Sequence, residues 1–128
     1  MKSKTILVVE DNVLLMSLIE KNLKFEGYKV LAARDGQQGF EMLFEHKPDL
    51  VWLDMNLPVM DGHEFLRRID LDKKMRQTPV VVVTVSMTKH EVETKKFNIV
   101  GCFIKSETPI SNIVSAITRY LSPKTGKI

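Results

Sequence analysis

Four short runs of large aliphatic and β-branched residues constrain this chain more than any other feature: Thr5 to Val9, Leu50 to Leu53, Val80 to Val83 and Cys102 to Ile104. A strand with one face in water would alternate apolar with polar side chains. These runs do not, so each reads as a strand buried on both faces. Tyr28 to Ala32 makes a weaker fifth. Segments of helical period lie between them. The first runs from about Val13 to Glu26 with Leu15, Ile19 and Leu23 on one stripe, and Gly27 stands where a C-terminal cap is wanted. Asp35 with Gln38, and Thr88 with Glu91, have capping-box spacing and mark the starts of the second and fourth helices. Phe40, Leu43 and Phe44 supply the apolar face of the second, and Phe65, Leu66 and Ile69 that of the third. Val92, Phe97 and Ile99 give the fourth the weakest face, which suits an element that moves. In the fifth, Ile110, Ile113, Val114, Ile117 and Leu121 keep the i, i+3, i+4, i+7 spacing behind Thr108 as N-cap and Pro109 at the first helical position.

Strand and helix thus alternate five times, the pattern of a parallel sheet covered by helices on both faces. Right-handed crossovers leave few topologies, and a flavodoxin-like, doubly wound (βα)5 sheet of order 2-1-3-4-5 is expected. The 128 residues fit one domain, assigned to 1–121, with 122–128 as a tail or the start of a linker. At 44% hydrophobic and 27% charged residues the chain has apolar surface enough for a core, which argues against disorder. No apolar run nears the roughly 20 residues that span a bilayer and no signal peptide opens the sequence. A cytoplasmic protein without membrane contact is therefore expected. Cys102 has no partner for a disulfide or a zinc site, in keeping with a reducing compartment. The net charge is only +3, and basic residues such as Lys73, Lys74, Arg76, Lys95, Lys96, Lys124 and Lys127 are scattered. They read as solvated surface, and direct contact with nucleic acid is not expected.

The residues that follow the apolar runs carry the chemistry. Glu10 and Asp11 follow the first, Asp54 the third, Thr84 the fourth and Lys105 the fifth. In a parallel sheet all strand C-termini share one edge, where such folds bind ligands. Three carboxylates gathered there would repel one another unless a cation neutralised them. Ligands that are all oxygen favour a hard ion, and Mg2+ fits, since it takes one or two carboxylates and accepts phosphate oxygens. Asp11 and Asp54 are the expected direct ligands, with Glu10 direct or through water and the Asn56 carbonyl completing the set. A metal beside a carboxylate, a hydroxyl and an ammonium group suits phosphoryl transfer. Asp54 would attack phosphorus and become an acyl phosphate, while Lys105 and Thr84 hold other phosphoryl oxygens. Each residue alone has an ordinary reading: a helix cap for Asp11, a turn for Asp54, a solvated loop for Lys105, a strand end for Thr84. Their convergence on one edge favours the site. His46, His63 and His90 read as surface residues away from this rim, Trp52 as sheet packing, and Met16, Met42 and Met60 as gap-fillers.

With those residues placed, the segments Ile6-Leu7-Val8-Val9-Glu10-Asp11-Asn12 and Asp49-Leu50-Val51-Trp52-Leu53-Asp54-Met55-Asn56-Leu57-Pro58-Val59-Met60-Asp61-Gly62 closely resemble receiver domains of the two-component response regulators. The resemblance covers residues 4–121, and the spacing of Thr84 and Lys105 from Asp54 agrees. It implies transfer of a phosphoryl group from a histidine of a sensor kinase or phosphotransfer protein to Asp54, with Mg2+, followed by slow self-catalysed hydrolysis. Such a chain is not an enzyme acting on other molecules. The resemblance further implies a monomer or weak homodimer that signals to a downstream protein through the face of the fourth helix, fifth strand and fifth helix.

Three departures from the family pattern stand out. Val85 follows Thr84 where a small residue, commonly Ala, is usual, and its bulk is expected to slow small donors such as acetyl phosphate. Lys105-Ser106 replaces Lys-Pro, and without Pro a cis bond costs about 2.5–4 kcal/mol, so a trans peptide is expected. Cys102 stands where the family has its switch aromatic, with Phe103 one place later, which argues against an inward-turning ring. Asn56 and Ser86, two residues past Asp54 and Thr84, stand where an attacking water approaches and are expected to tune the phosphoryl lifetime, which hydrolysis rates of variants at both would check. Two other readings compete. One is a phosphorylation-independent interaction module, in line with the departures at Val85, Cys102 and Ser106. The other is a Mg2+-dependent phosphohydrolase, which would want an acid where Asn56 stands. A dinucleotide enzyme would need a glycine-rich fingerprint after the first strand, and none is there.

Overall fold

The apolar runs pair side by side into a five-stranded parallel sheet. In the computed structural model, which describes residues 3–86 and 96–122, the strands are β1 (Thr5–Val9), β2 (Lys29–Ala33), β3 (Leu50–Leu53), β4 (Val80–Thr84) and β5 (Ile99–Ile104). Their order is β2-β1-β3-β4-β5, as expected. Successive residues of each strand serve opposite faces, which is why no polar position interrupts the runs. Leu7, Val9, Leu53 and Val82 pack on one side with Leu43, Phe65 and Ile69. Ile6, Val8, Trp52 and Val81 pack on the other with Ile19, Leu23, Ile113 and Ile117. Hence α2 (Gly36–His46) and α3 (Gly62–Asp70) cover the first face, and α1 (Val13–Phe25) and α4 (Ile110–Leu121) the second. Each fully buried aliphatic side chain contributes about 1.5–3 kcal/mol.

Local signals set the helix ends. Asn12 Oδ1 accepts the Leu15 N–H at 2.9 Å to start α1, which stops before Gly27, whose φ of 92° costs a glycine nothing. Asp35 Oδ1 accepts the Gln38 N–H, and Gln38 Oε1 accepts the Arg34 N–H, both at 2.8 Å, so this pair does cap α2.

Four expectations need correction. Pro109 occupies the N-cap of α4 with extended ψ of 148°, so the helix begins at Ile110 and Thr108 does not cap it. Ile99 opens β5 instead of closing a helix, and Phe97 lies in a turn. β5 therefore starts ahead of Cys102, its ladder with β4 being irregular between Val80 and Val81. Phe44 is 63% exposed and is not part of the α2 core face. The fourth helix inferred from Thr88, Glu91 and Val92, together with His90 and the tail beyond Ser122, lies outside the described residues. Among the described residues no helix is long and apolar enough to cross a membrane.

Candidate functional site

The sheet's hydrogen bonding runs one residue past the strand ends and fixes the rim. The Glu10 N–H donates to the Ala33 carbonyl at 3.0 Å, Asp54 N–H to Val9 at 3.1 Å and Lys105 N–H to Thr84 at 2.7 Å. Glu10, Asp54 and Thr84 are thereby set side by side and buried, Asp54 being only 2% exposed. Asp11, one residue further out, stays exposed; because Asn12 caps α1, its carboxylate is not spent on the helix. One carboxylate oxygen each from Glu10, Asp11 and Asp54 lie within 4.8 Å of one another. Lys105 Nζ donates to Glu10 Oε1 at 2.7 Å and to Asp54 Oδ2 at 3.1 Å. The other oxygens of these two residues accept the Asn12 N–H at 3.0 Å and the Asn56 N–H at 3.1 Å. Asn56 Nδ2 makes a long contact of 3.4 Å to Thr84 Oγ1.

The electrostatics follow from this crowding. Burial pushes the Glu10 carboxyl up and the Asp54 charge adds to it, against the pull of Lys105 and the Asn12 N–H. Burial opposes the Lys105 ammonium too, but the Glu10 hydrogen bond and the Asp54 charge outweigh it and hold its pKa above the usual lysine range. One ammonium thus serves two buried carboxyl groups, with the Asp11 carboxylate clustered beside them. An acidic cluster of oxygen donors with one cation opposite is a fit for a divalent metal of hard character.

The sequence model of the response regulator receiver domain matches residues 6–118. The chain belongs to that family. It is 29% identical over 118 residues to the polar-differentiation response regulator DivK of Brucella anthropi, covering 92% of this chain and 96% of DivK. Among solved structures, the phosphorylated cyanobacterial phytochrome response regulator RcpA is 31% identical with a TM-score of 0.79, covering 97% of this chain and 98% of RcpA. The Mn(2+)-bound form of response regulator Rcp1 is 27% identical with a TM-score of 0.80, covering 98% and 99%.

In this receiver domain a cleft of about 450 Å³ opens over Asp11, Asn56 and Thr84, and Asp61 and His63 also line it. His63 therefore reaches the rim, contrary to the sequence expectation. The chain after β3 folds back so that the Gly62 N–H donates to the Met55 carbonyl at 3.0 Å. A Cβ at Gly62 would stand 2.6 Å from Met55 Cα, so only glycine permits this return. The signal was the Pro58 turn followed by Asp61, whose Oδ1 caps α3 through the Glu64 N–H at 2.9 Å. His46 is also exposed, and it does not line this cleft. Val85 and Ser86 are exposed just past β4. Cys102 is half-buried against the α2–α3 side of the core, where burial pushes its thiol up and away from reactivity. Phe103 packs partly buried on the opposite side of the sheet. No cis peptide occurs among the described residues, so Lys105-Ser106 is trans as expected.

Proposed function

We propose that this receiver domain accepts a phosphoryl group on Asp54 from the phosphohistidine of a sensor histidine kinase or phosphotransfer protein, and that the acyl phosphate switches its contacts with a downstream protein. The observation that carries this reading is Lys105 Nζ, after β5, reaching both Glu10 and Asp54 in a cluster of three carboxylates that follow β1 and β3. A purely structural cluster has no use for an excess of buried acids. Mg2+ would be held by Glu10, Asp11, Asp54 and the Asn56 carbonyl, and when bound it supplies neutralisation of charge on the carboxylates and phosphoryl oxygens. An Asp54 carboxylate oxygen attacks phosphorus, the phosphorus–nitrogen bond of the donor breaks, and its electron pair leaves with the imidazole. Lys105 moves its ammonium onto one phosphoryl oxygen, and Thr84 Oγ1 donates to another. Water later attacks the same phosphorus, returning the carboxylate and releasing inorganic phosphate, so the chain acts only on itself. The phosphorylated state of RcpA and the Mn2+ bound by Rcp1 support this assignment.

Exposed apolar side chains stand in the segments that follow β1, β3 and β4: Leu14 is 79% exposed, and Val13, Leu18, Val59 and Val85 are exposed as well. Such a surface suits a protein donor better than a small one. The signal would leave through the face of β5 and the helix after it, in the cytoplasm. The test is incubation with a phosphohistidine donor and Mg2+ followed by intact mass. Wild type should gain about 80 Da, the mass of one phosphoryl group, and Asp54→Ala nothing; equal gain in both would move the acceptor elsewhere.

A further inference from the structure

The edge of the sheet opposite the acidic site has a cleft of its own. β3 and β4 are neighbours, and the Val51 N–H donates to the Pro79 carbonyl at 3.0 Å, so the segments that enter these two strands run side by side. There the last turn of α2 and the connection from α3 to β4 border a cleft of about 440 Å³. Leu43 and Met75, both buried, give it an apolar lining, and Phe44 adds a ring that is 63% exposed. The ring keeps the apolar period of α2 without a partner in the core. Leu71, in the same connection as Asp72 and Met75 of the cleft, is 76% exposed as well.

The charges around this apolar lining are unequally committed. Asp72 Oδ1 accepts the Met75 and Lys74 N–H groups, both at 2.9 Å, and these bonds hold its carboxyl below the usual carboxylate range. Glu45 Oε2 lies 3.7 Å from His46 Nε2. The ammonium groups of Lys47 and Lys74 have no ion-pair or hydrogen-bond partner among the described residues, although Lys74 feels the Asp72 charge through space. Lys73 and Arg76, exposed in the same connection, add positive charge that Asp70 at the end of α3 offsets only in part. The cleft thus combines an apolar floor and an exposed ring with two unpaired cations.

We propose that this cleft docks a short segment of a partner protein in which phenylalanine or leucine is flanked by carboxylates. The apolar anchor lies against Leu43, Phe44 and Met75, whose thioether adapts to its shape. The carboxylates meet Lys47 and Lys74 and act mainly on partner choice. A segment of chain suits the surface better than a compact molecule, because exposed apolar surface stands at Leu71 as well as in the cleft. The cleft borders the strand N-termini and Asp54 follows a strand C-terminus, so a docked partner leaves the acidic site open. Docking here anchors the receiver and does not depend on the phosphoacceptor reading.

The experiment uses three labelled synthetic peptides: one with a central phenylalanine among glutamates, one with alanine in place of the phenylalanine, and one with lysines in place of the glutamates. Fluorescence anisotropy gives their affinities for the full chain. Wild type should bind the first about tenfold more tightly than either of the others. Phe44→Ala, and Lys47→Gln combined with Lys74→Gln, should each weaken that binding about tenfold; all three side chains are exposed, so folding should survive. Added salt should weaken binding to wild type and leave the double variant unaffected. Amide NMR shifts on binding should move in 43–47 and 72–78 and stay still in 10–12. Absence of binding by the first peptide, affinity indifferent to Phe44 and both lysines, or shifts confined to another face would overturn the site. So would a concentration-dependent dimer of the free chain that Phe44→Ala abolishes, since a second copy would then cover the cleft. Each of these outcomes leaves the reading of Asp54 untouched, and a failure of phosphoryl transfer would leave this site untouched.

Discussion

Val59 holds a left-handed backbone at φ 67° in the loop that follows β3. A β-branched residue in that conformation is strained by about 1–3 kcal/mol, and at 82% exposure its side chain recovers almost nothing by packing. Val59→Gly should therefore raise stability by about 1 kcal/mol after the glycine's own entropic cost, read as a higher urea midpoint with unchanged slope. An equal or lower midpoint would mean the loop carries no strain there. Val85 poses the complementary case at the edge of the site. Its side chain stands exposed beside Thr84, so Val85→Ala should speed phosphorylation by acetyl phosphate several-fold. A rate no faster would show that access to Asp54 is limited elsewhere.

Between elements, the tightest joint is the start of α2 against the loop after β3. A Cβ at Gly36 would collide with the Met60 carbonyl. Gly36→Ala should thus cost about 1–3 kcal/mol by overpacking, even though alanine favours a helix by up to about 1 kcal/mol; an unchanged thermal midpoint would contradict the close approach. At this scale the sequence was a good guide where one periodicity ruled. β1 and β3 begin and end where their apolar runs do, because both faces are covered. β5 was cut short because Gly101 interrupts the run just where the ladder with β4 is irregular. Phe44 keeps the α2 period but is exposed, since periodicity gives a direction and not the extent of the neighbouring element. The rim of Glu10, Asp11, Asp54, Thr84 and Lys105 was legible because parallel strands end together. His63 was missed because it arrives through a folded-back loop.

For the molecule as a whole, the site is also a stability element, since strands β1, β3 and β5 meet there through charge. The Glu10 and Asp54 side chains are almost wholly buried, and Lys105, 21% exposed, is the cation that touches both. Removing one partner of a buried ion pair costs about 3–5 kcal/mol because the other is left uncompensated; partial exposure of the ammonium screens some of this, so Lys105→Met should cost roughly 2–3 kcal/mol in the presence of EDTA. The same substitution deepens the negative potential over the carboxylates. Mg2+ should then bind the variant more tightly than wild type and raise its Tm by more, as expected for a ligand that binds only the folded state. Asp11→Asn combined with Asp54→Asn should erase the Mg2+ response altogether. Calorimetry of the three proteins with EDTA and with Mg2+ checks the argument. A Lys105→Met variant as stable as wild type in EDTA would show that the lysine does not hold these strands together, and a Mg2+ response that survives loss of both aspartates would place the ion elsewhere.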